Sequence, residues 1–356
     1  EKKFNAVDSL VFSQLSYVHF EGMIPGLSRS ARPVRIADLL RAEKFGAMFR
    51  EFWSNNTRSL LFAMAASPRY RDILVNYYVS KTDVKLEQQF SAVTFLLQDG
   101  SAYAAFRGTD ETLVGWKEDF NMSFMTVPAQ REAVEYVANA ARAFRGPLIL
   151  GGHSKGGNLA LYAACHTTDA VRKRIRRVYS FDGPGVDTAT LNGHGYQAIR
   201  GRVESYIPQS SVIGMLLCYH PDYLVVKSSA TGLMQHDVFT WHIQDGAFVQ
   251  LKELDLSTRL SNEAFKLWLD QHSEEERRFM AEVIIQIVAG LGTDTVAPIY
   301  QDPKGSSFKM ISAFSKLDSE TRNKAVKMFA GLLSTEAGYA IRQLLANVLR
   351  TPEDQN

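Results

Sequence analysis

The chain has 356 residues, of which 46% are hydrophobic and 22% charged, a composition that excludes a disordered or fibrous protein. With 40 Lys and Arg against 38 Asp and Glu, a strongly basic nucleic-acid binder is excluded, and we expect no nucleic-acid partner. The two cysteines, Cys165 and Cys218, are too few for a disulfide framework or a zinc cluster, so we predict a cytoplasmic protein without metal or cofactor.

The first 80 residues predict helices followed by a strand. Apolar residues at helical spacing indicate a helix over 6–20, and the segments 34–52 and 57–66 are interpreted as helical as well. Residues 71–80 are rich in β-branched and aromatic side chains, which favours a strand. Helical additions therefore precede the predicted sheet.

A hairpin and then alternating strands and helices fill the middle of the chain. Two apolar strands, Phe90–Leu97 and Ala102–Phe106, flank the turn at Asp99-Gly100. The alternation that follows predicts an α/β fold with a mostly parallel central sheet and this hairpin at one edge. The later predicted helices are Pro128–Phe144 and Asn158–Cys165, and the later predicted strands are Pro147–Gly151, Arg177–Phe181, Val203–Ile207, Tyr223–Lys227 and Val238–Ile243.

The pattern becomes purely helical near residue 256 and stays so to about residue 350. Ser273 followed by three glutamates is typical of a helix start. We predict two domains, namely 1–255 with the sheet and its N-terminal helices and 256–356 as a C-terminal helical subdomain. No apolar run reaches the roughly 18 residues of a membrane span, so we expect no stable membrane insertion.

The segment Gly152-His153-Ser154-Lys155-Gly156 points to nucleophilic chemistry. It follows an apolar strand and precedes a helix, which is the context in which G-x-S-x-G forms a nucleophile elbow. Glycine two residues before and two after the serine removes side chains that would clash in so tight a turn. Ser154 is therefore the predicted nucleophile, and the alternative is a glycine-rich turn with a capping serine.

Two further motifs accompany this segment, Phe106-Arg107-Gly108-Thr109 before it and Trp116-x-x-Asp119-Phe120 between the two. Together with Gly-His-Ser-x-Gly-Gly, they resemble the class 3 lipase group of α/β-hydrolases over roughly residues 85–245. From the Asn5 helix to Trp241 the chain also resembles a group of bacterial lipase-like proteins of unassigned function. The resemblance implies an α/β-hydrolase fold.

The resemblance also implies two oxyanion donors. In these lipases the residue after Arg-Gly donates to the oxyanion, and here that residue is Thr109, through its backbone N–H and its hydroxyl. The second donor is the backbone N–H of Lys155, directly after the nucleophile. The alternative for Thr109 is an ordinary turn residue at a strand end.

The chain order in α/β-hydrolases, serine then acid then histidine, restricts the search for the base. In class 3 lipases the catalytic histidine follows the last strands of the core, a place that His236 matches, so the resemblance implies His236 as the base. His242 and His220 are kept as reserves, and His153 lies beside the nucleophile and cannot fold back onto it. The histidines considered for this role are His194, His220, His236 and His242.

The position of the predicted catalytic acid differs from that in class 3 lipases. Those lipases carry Asp in an Asp-x-Val-Pro segment, whereas here Ser210 stands at that place, and serine does not hold an imidazolium as a carboxylate does. Asp182 lies at the carboxyl end of the strand after the elbow helix, where lipases that resemble the pancreatic type have their acid. Asp182 is therefore the favoured acid, with Glu204 and Asp237 as minor candidates.

These residues predict acyl transfer to water by a serine esterase or lipase that acts on a small-molecule ester or lipid. No metal or cofactor is implied. One alternative is a binding or scaffold protein of the lipase fold with weak or no turnover, an interpretation that the displaced acid favours. Another is an amidase or acyltransferase that uses the same triad.

Overall fold

The computed structural model describes residues 3–28, 32–50, 54–110, 112–122, 125–211, 213–215, 217, 220–295 and 297–333. Its strands are β1 (Val34–Arg35), β2 (Leu74–Asp83), β3 (Gln88–Leu96), β4 (Ala102–Phe106), β5 (Leu148–His153), β6 (Ile175–Phe181), β7 (Val203–Pro208), β8 (Leu224–Val226), β9 (Ile243–Gln244), β10 (Ala247–Phe248) and β11 (Gln250–Leu251).

The helices surround these strands along the chain. They are α1 (Ala6–Leu15), α2 (Phe45–Met48), α3 (Ser54–Ala66), α4 (Leu113–Asn121), α5 (Pro128–Ala143), α6 (Lys155–His166), α7 (Asp169–Arg172), α8 (Thr188–Asn192), α9 (His194–Ile199), α10 (Leu256–Gln271), α11 (Glu274–Ala289), α12 (Ala297–Gln301), α13 (Pro303–Lys316) and α14 (Ser319–Leu333). Short 3-10 helices occur at Ile36–Leu39, Ala42–Lys44, Arg200–Arg202, Ile213–Met215, Gly232–His236 and Val238–Thr240.

Nine of the strands in the described part of the chain form one sheet, in the order β1-β2-β3-β4-β5-β6-β7-β8-β11. Strands β4 to β8 run parallel, and antiparallel strands flank them on both sides. Phe106 pairs with Gly152 and His153 with Phe181, so the carboxyl ends of β4, β5 and β6 lie side by side. The predicted α/β-hydrolase fold with its mostly parallel central sheet is confirmed.

Helices cover both faces of the central strands, and every residue of β4 and β5 is buried. On one face, the Tyr103 hydroxyl of β4 lies 2.8 Å from Ser9 Oγ and 2.7 Å from Ser13 Oγ of α1. On the other face, the Phe106 ring packs edge-on against Tyr136 of α5, with the centroids 5.8 Å apart. Helix α1 is therefore joined to the sheet by buried hydrogen bonds as well as by apolar packing.

The contacts divide the chain into two compact units, one of Glu1–Asp110 with Thr126–Glu253 and the other of Glu111–Met125 with Leu254–Asn356. The segment 111–125, which the sequence analysis placed in the first domain, groups with the second unit. There, the Leu113 N–H donates to Asp294 O, and the Trp268 indole donates to Met328 O. Helix α4 is thus a helical insertion that packs with the C-terminal helices.

Local details differ from the sequence-based expectations in three places. The helix predicted over 6–20 ends earlier, at Leu15, with Ser16 as its C-cap. The predicted helix over 34–52 is instead a short strand followed by 3-10 turns and α2, because Val34 pairs with Val75 and the segment bonds to residues 71–75. Residues 51 and 52 of that prediction lie outside the described residues. The predicted strand Val238–Ile243 begins as a 3-10 turn, because the Asp237 carboxylate accepts the Phe239 N–H.

The predicted helix start at Ser273 is confirmed. Its hydroxyl accepts the Glu276 N–H, and the Glu276 carboxylate accepts the Ser273 N–H, which together form a capping box for α11. Residues 334–350 of the predicted helical region lie outside the described residues.

A buried carboxylate connects α1 to the segment after α3. Asp8 accepts hydrogen bonds from Arg69, with Nε 2.7 Å away, from the Tyr70 hydroxyl at 2.6 Å and from the Asn5 N–H at 2.9 Å. Burial acts to raise the pKa of Asp8, but the hydrogen bonds from Arg69, Tyr70 and Asn5 outweigh it, so the pKa lies below its ordinary value. The charged form of Asp8 therefore stabilises the fold.

We expect Asp8→Asn to lower the free energy of unfolding at pH 7 by about 2 kcal/mol, because it leaves Arg69 poorly paired. A carboxylate with a lowered pKa contributes above its unfolded pKa and loses that contribution as the pH falls. The difference between wild type and variant should therefore shrink below about pH 4. Urea unfolding at several pH values measures this effect. Asp38→Asn, at an exposed pair with Arg35, is the control and should lower the free energy of unfolding far less than Asp8→Asn; an equal loss in both variants would contradict the assignment.

Candidate active site

Ser154 lies in a strained turn between β5 and α6. Its backbone has φ 58° and ψ −134°, a conformation that side-chain-bearing residues rarely adopt. Two backbone hydrogen bonds hold the turn, from the Ser154 N–H to Phe181 O and from the Gly157 N–H to Ser154 O, both 2.9 Å long. Such strain at a half-buried serine on a strand-to-helix turn is the geometry that a nucleophile elbow requires.

The flanking glycines are required because the backbone approaches itself closely. A Cβ at Gly152 would lie 2.3 Å from the carbonyl carbon of Gly156, and one at Gly156 would lie 2.1 Å from Phe106 O. Real side chains do not tolerate such distances, so both positions accept only glycine. The elbow therefore packs directly on the end of β4.

The turn that follows β4 lies against the elbow and carries Thr109. A Cβ at Gly108 would lie 2.8 Å from His153 O, so no side chain fits between the two segments. Thr109 follows Gly108 directly and is half-buried.

Lys155 is the first residue of α6, where the helix dipole is positive. Its own side chain is buried, and Nζ donates to Gln89 O at 2.9 Å. The two predicted oxyanion donors therefore both lie next to Ser154, Thr109 on the turn after β4 and Lys155 at the start of α6.

Asp182 and His236 contact each other. Their atoms Oδ2 and Nδ1 are 2.6 Å apart, with the carboxylate fully buried and the imidazole 27% exposed. A carboxylate only accepts hydrogen bonds, so Nδ1 of His236 carries the proton and Nε2 is left as the basic nitrogen. The predicted acid and the predicted base are therefore neighbours in the structure.

The other carboxylate oxygen of Asp182 is held from the end of β7. The Ser211 hydroxyl donates to Oδ1 at 2.5 Å, and the Gly214 N–H donates to the same oxygen at 3.1 Å. A Cβ at Gly214 would lie 2.5 Å from this oxygen, so glycine is needed there. The sequence did not indicate that Ser211 and Gly214 contact Asp182. The neighbouring Ser210, at the place of the class 3 acid, instead donates its backbone N–H to Gln235 Oε1.

The 3-10 helix Gly232–His236 presents the histidine, and neighbouring elements fix it. Gln235 O accepts the Trp241 indole N–H at 2.8 Å. His236 O lies 2.9 Å from Nε2 of His153, and the two imidazole rings are 4.4 Å apart. His153, which the sequence placed beside the nucleophile only, thus contacts the candidate base. Burial, followed by the electrostatic influence of the neighbouring His236 ring, lowers the pKa of His153 well below its usual value.

The reserve candidates have other partners. Nδ1 of His220 lies 2.7 Å from the Tyr196 hydroxyl, and burial lowers the pKa of this histidine. Glu204 pairs with Arg177 and accepts the Tyr206 hydroxyl, and the carboxylate of Asp237 accepts the N–H of Phe239. His194 begins α9, and the His242 N–H donates to Lys227 O. Within the described residues, none of these side chains forms a hydrogen bond or an ion pair with Asp182 or His236.

No group of three or more His, Cys, Asp or Glu in the described residues is placed to hold a metal ion. No helix in these ranges is long and apolar enough to cross a bilayer.

The sequence profile of the Mbeg1-like family matches residues 64–286, more than half of the chain. The chain belongs to the Mbeg1-like family. The matched part of this Mbeg1-like chain contains Thr109, Ser154, Lys155, Asp182 and His236. None of the curated proteins matches the Mbeg1-like chain.

Two solved structures are similar to the Mbeg1-like chain at low identity. Rhizomucor miehei lipase in its propeptide complex is 15% identical, with a TM-score of 0.32 over 45% of this chain and 58% of that one. A mutant form of MDLA from Penicillium cyclopium is 12% identical, with a TM-score of 0.37 over 69% of this chain and 84% of that one. The Mbeg1-like chain spans less than two thirds of the Rhizomucor lipase.

We expect Gly156→Ala to lower the free energy of unfolding by about 3 kcal/mol, because its Cβ overlaps Phe106 O. Gly201→Ala is the matched control, since a Cβ there meets nothing within 4 Å and should change stability by under about 0.5 kcal/mol. Thermal or urea unfolding of both variants measures the difference. A Gly156→Ala variant as stable as Gly201→Ala would contradict the close approach of the elbow to β4.

Proposed function

We propose that this lipase-like α/β-hydrolase is a serine esterase or lipase that cleaves carboxylic esters through Ser154, His236 and Asp182. The observation that carries the proposal is the 2.6 Å contact between His236 Nδ1 and the buried Asp182 carboxylate. This contact occurs beside a serine whose strained backbone matches a nucleophile elbow. Its substrate is a small-molecule ester or a lipid, and a cytoplasmic location and a bacterial origin stay predictions of the sequence.

In the proposed reaction, Nε2 of His236 takes the proton of Ser154 as the serine oxygen attacks the ester carbonyl. Asp182 keeps Nδ1 protonated and stabilises the imidazolium that forms. The backbone N–H groups of Thr109 and Lys155 hold the oxyanion of the tetrahedral intermediate. His236 then returns the proton to the leaving alcohol, and water hydrolyses the acyl-enzyme by the same steps in reverse order.

The buried environment of Asp182 supports catalysis over a role as a scaffold. A carboxylate with three donors, namely His236, Ser211 and Gly214, is held in one orientation, as an acid that fixes an imidazole must be. The displaced acid was the reason to consider a protein without turnover, and the contact between Asp182 and His236 supports the enzyme over that alternative. Amide hydrolysis or transfer to another acceptor uses the same groups, and substrate assays separate these reactions from ester hydrolysis.

Fluorophosphonate labelling tests the nucleophile. We expect the wild type to be labelled and to hydrolyse p-nitrophenyl esters, whereas Ser154→Ala should lose both properties because it lacks the attacking oxygen. Labelling that persists in Ser154→Ala would place the nucleophile elsewhere. A wild type that is neither labelled nor active on short and long esters would contradict the enzyme and favour the binding protein.

The role of Asp182 has its own test. Asp182→Asn should lower kcat for the best p-nitrophenyl ester by about 10⁴-fold, because an amide favours the wrong tautomer of His236. Asp237→Asn is the matched control, since that carboxylate caps Phe239, and it should change kcat by less than about threefold. A nearly normal rate for Asp182→Asn, or an equal loss in Asp237→Asn, would assign the acid to another residue.

A further inference from the structure

A partly buried pair outside the proposed triad, Tyr17 and His153, connects the end of helix α1 to the candidate base. The hydroxyl of Tyr17, two residues after the end of α1, lies 2.9 Å from Nδ1 of His153. On the other side of the same ring, Nε2 lies 2.9 Å from the backbone oxygen of His236. The three residues therefore form one chain of hydrogen bonds that ends on the loop carrying the base.

The directions of these hydrogen bonds follow from the partners. A backbone oxygen only accepts, so Nε2 of His153 is the protonated nitrogen and donates to His236 O. Burial keeps the ring neutral, so Nδ1 accepts and the Tyr17 hydroxyl donates to it. Tyr17 thus selects the one tautomer of His153 that can hold the His236 backbone.

Tyr17 is itself fixed by the elements that build the site. The turn after α1 places its N–H on Gln14 O at 3.2 Å, and α1 is joined to β4 through Ser9, Ser13 and Tyr103. A Cβ at Gly108 would lie 2.0 Å from the Tyr17 hydroxyl, so this oxygen rests directly on the turn that carries Thr109. The hydroxyl consequently touches the oxyanion turn and the elbow at the same time.

We propose that Tyr17 and His153 are positioning residues that set the height and angle of His236 over Ser154. The effect of these residues on catalysis rests on the proposed function, whereas their hydrogen bonds can be tested in a protein without turnover. A short 3-10 segment such as Gly232–His236 has few backbone hydrogen bonds of its own, so outside donors decide where it sits.

The neutrality of His153 is part of the proposal. His236 gains a positive charge during acyl transfer, and the rings are 4.4 Å apart. A second cation at that distance would oppose the charge on His236, whereas a neutral ring donates a hydrogen bond to the backbone without that cost. Histidine held in the neutral Nε2–H form therefore suits this place better than lysine or arginine.

Nitrogen-15 NMR of the histidine rings tests the chain of hydrogen bonds in the full-length protein. We expect the wild-type His153 to be neutral and protonated at Nε2 alone at pH 7.5, and Tyr17→Phe to populate both tautomers of His153 and shift the His236 signals. Tyr196→Phe is the matched control, because its hydroxyl meets the buried Nδ1 of His220 at 2.7 Å, and it should leave both rings unchanged. An Nδ1–H or protonated His153 in the wild type, or an unchanged spectrum in Tyr17→Phe, would overturn the proposal.

Ester hydrolysis gives the second readout. Loss of one hydrogen bond to the His236 backbone should lower kcat about tenfold in His153→Phe, with KM within about twofold. His153→Gln retains a donor in the place of Nε2 and should stay within about threefold of the wild type in kcat. Equal losses in the Phe and Gln variants, or a loss confined to KM, would overturn the positioning role. A wild type without Ser154-dependent turnover would contradict the proposed function alone, and the NMR measurement would still decide the hydrogen-bond chain.

Discussion

The contact between the elbow and the end of β4 is the constraint on which the site depends. The Gly156 position lies so close to Phe106 O, and the Gly108 position so close to His153 O, that no side chain separates the two segments. Parallel pairing of β4, β5 and β6 ends these strands at one edge, and these approaches then bring the Thr109 turn and Ser154 together. A wider spacing would leave the donors of any oxyanion hole too far from the serine.

Asp182, the proposed acid, follows β6, whereas the class 3 pattern has its acid after the next strand. Asp182 follows β6 in the left-handed region, with φ 46°, and its N–H donates to Tyr206 O of β7 at 2.7 Å. The segment after β7, where class 3 lipases carry their own acid, here supplies Ser211 and Gly214 as donors to Asp182. The buried Asp182 carboxylate thus receives two hydrogen bonds from the segment that follows the neighbouring strand β7. Burial of a charge is tolerated only with such partners.

The sequence alone predicted the structural features that depend on residues close together in the chain. The Gly-x-Ser-x-Gly spacing between strand and helix predicts the turn because the steric requirement lies within five residues. The catalytic roles of Ser154, Asp182 and His236 stay predictions. Features that depend on distant partners were not accessible: Val34 becomes an edge strand only because Val75 lies beside it. The Ser211 contact depends in the same way on the register between β6 and β7 and on the loop that follows.

Helix α1 is an integral part of the unit that contains the sheet, although the sequence suggested only a helical addition. Three independent connections join it to the rest: the Asp8 cluster, the hydroxyls of Ser9 and Ser13 on Tyr103, and the Tyr17 hydroxyl on His153. The first two connections fix α1 on the sheet. A fixed α1 holds the Tyr17 hydroxyl against His153, which in turn contacts the backbone of His236. His236, the proposed base, lies on a short 3-10 segment and contacts Asp182 on one side only. On the opposite side, Tyr17 contacts His153, and His153 donates to the backbone oxygen of His236, so the loop that carries this histidine is supported from two directions.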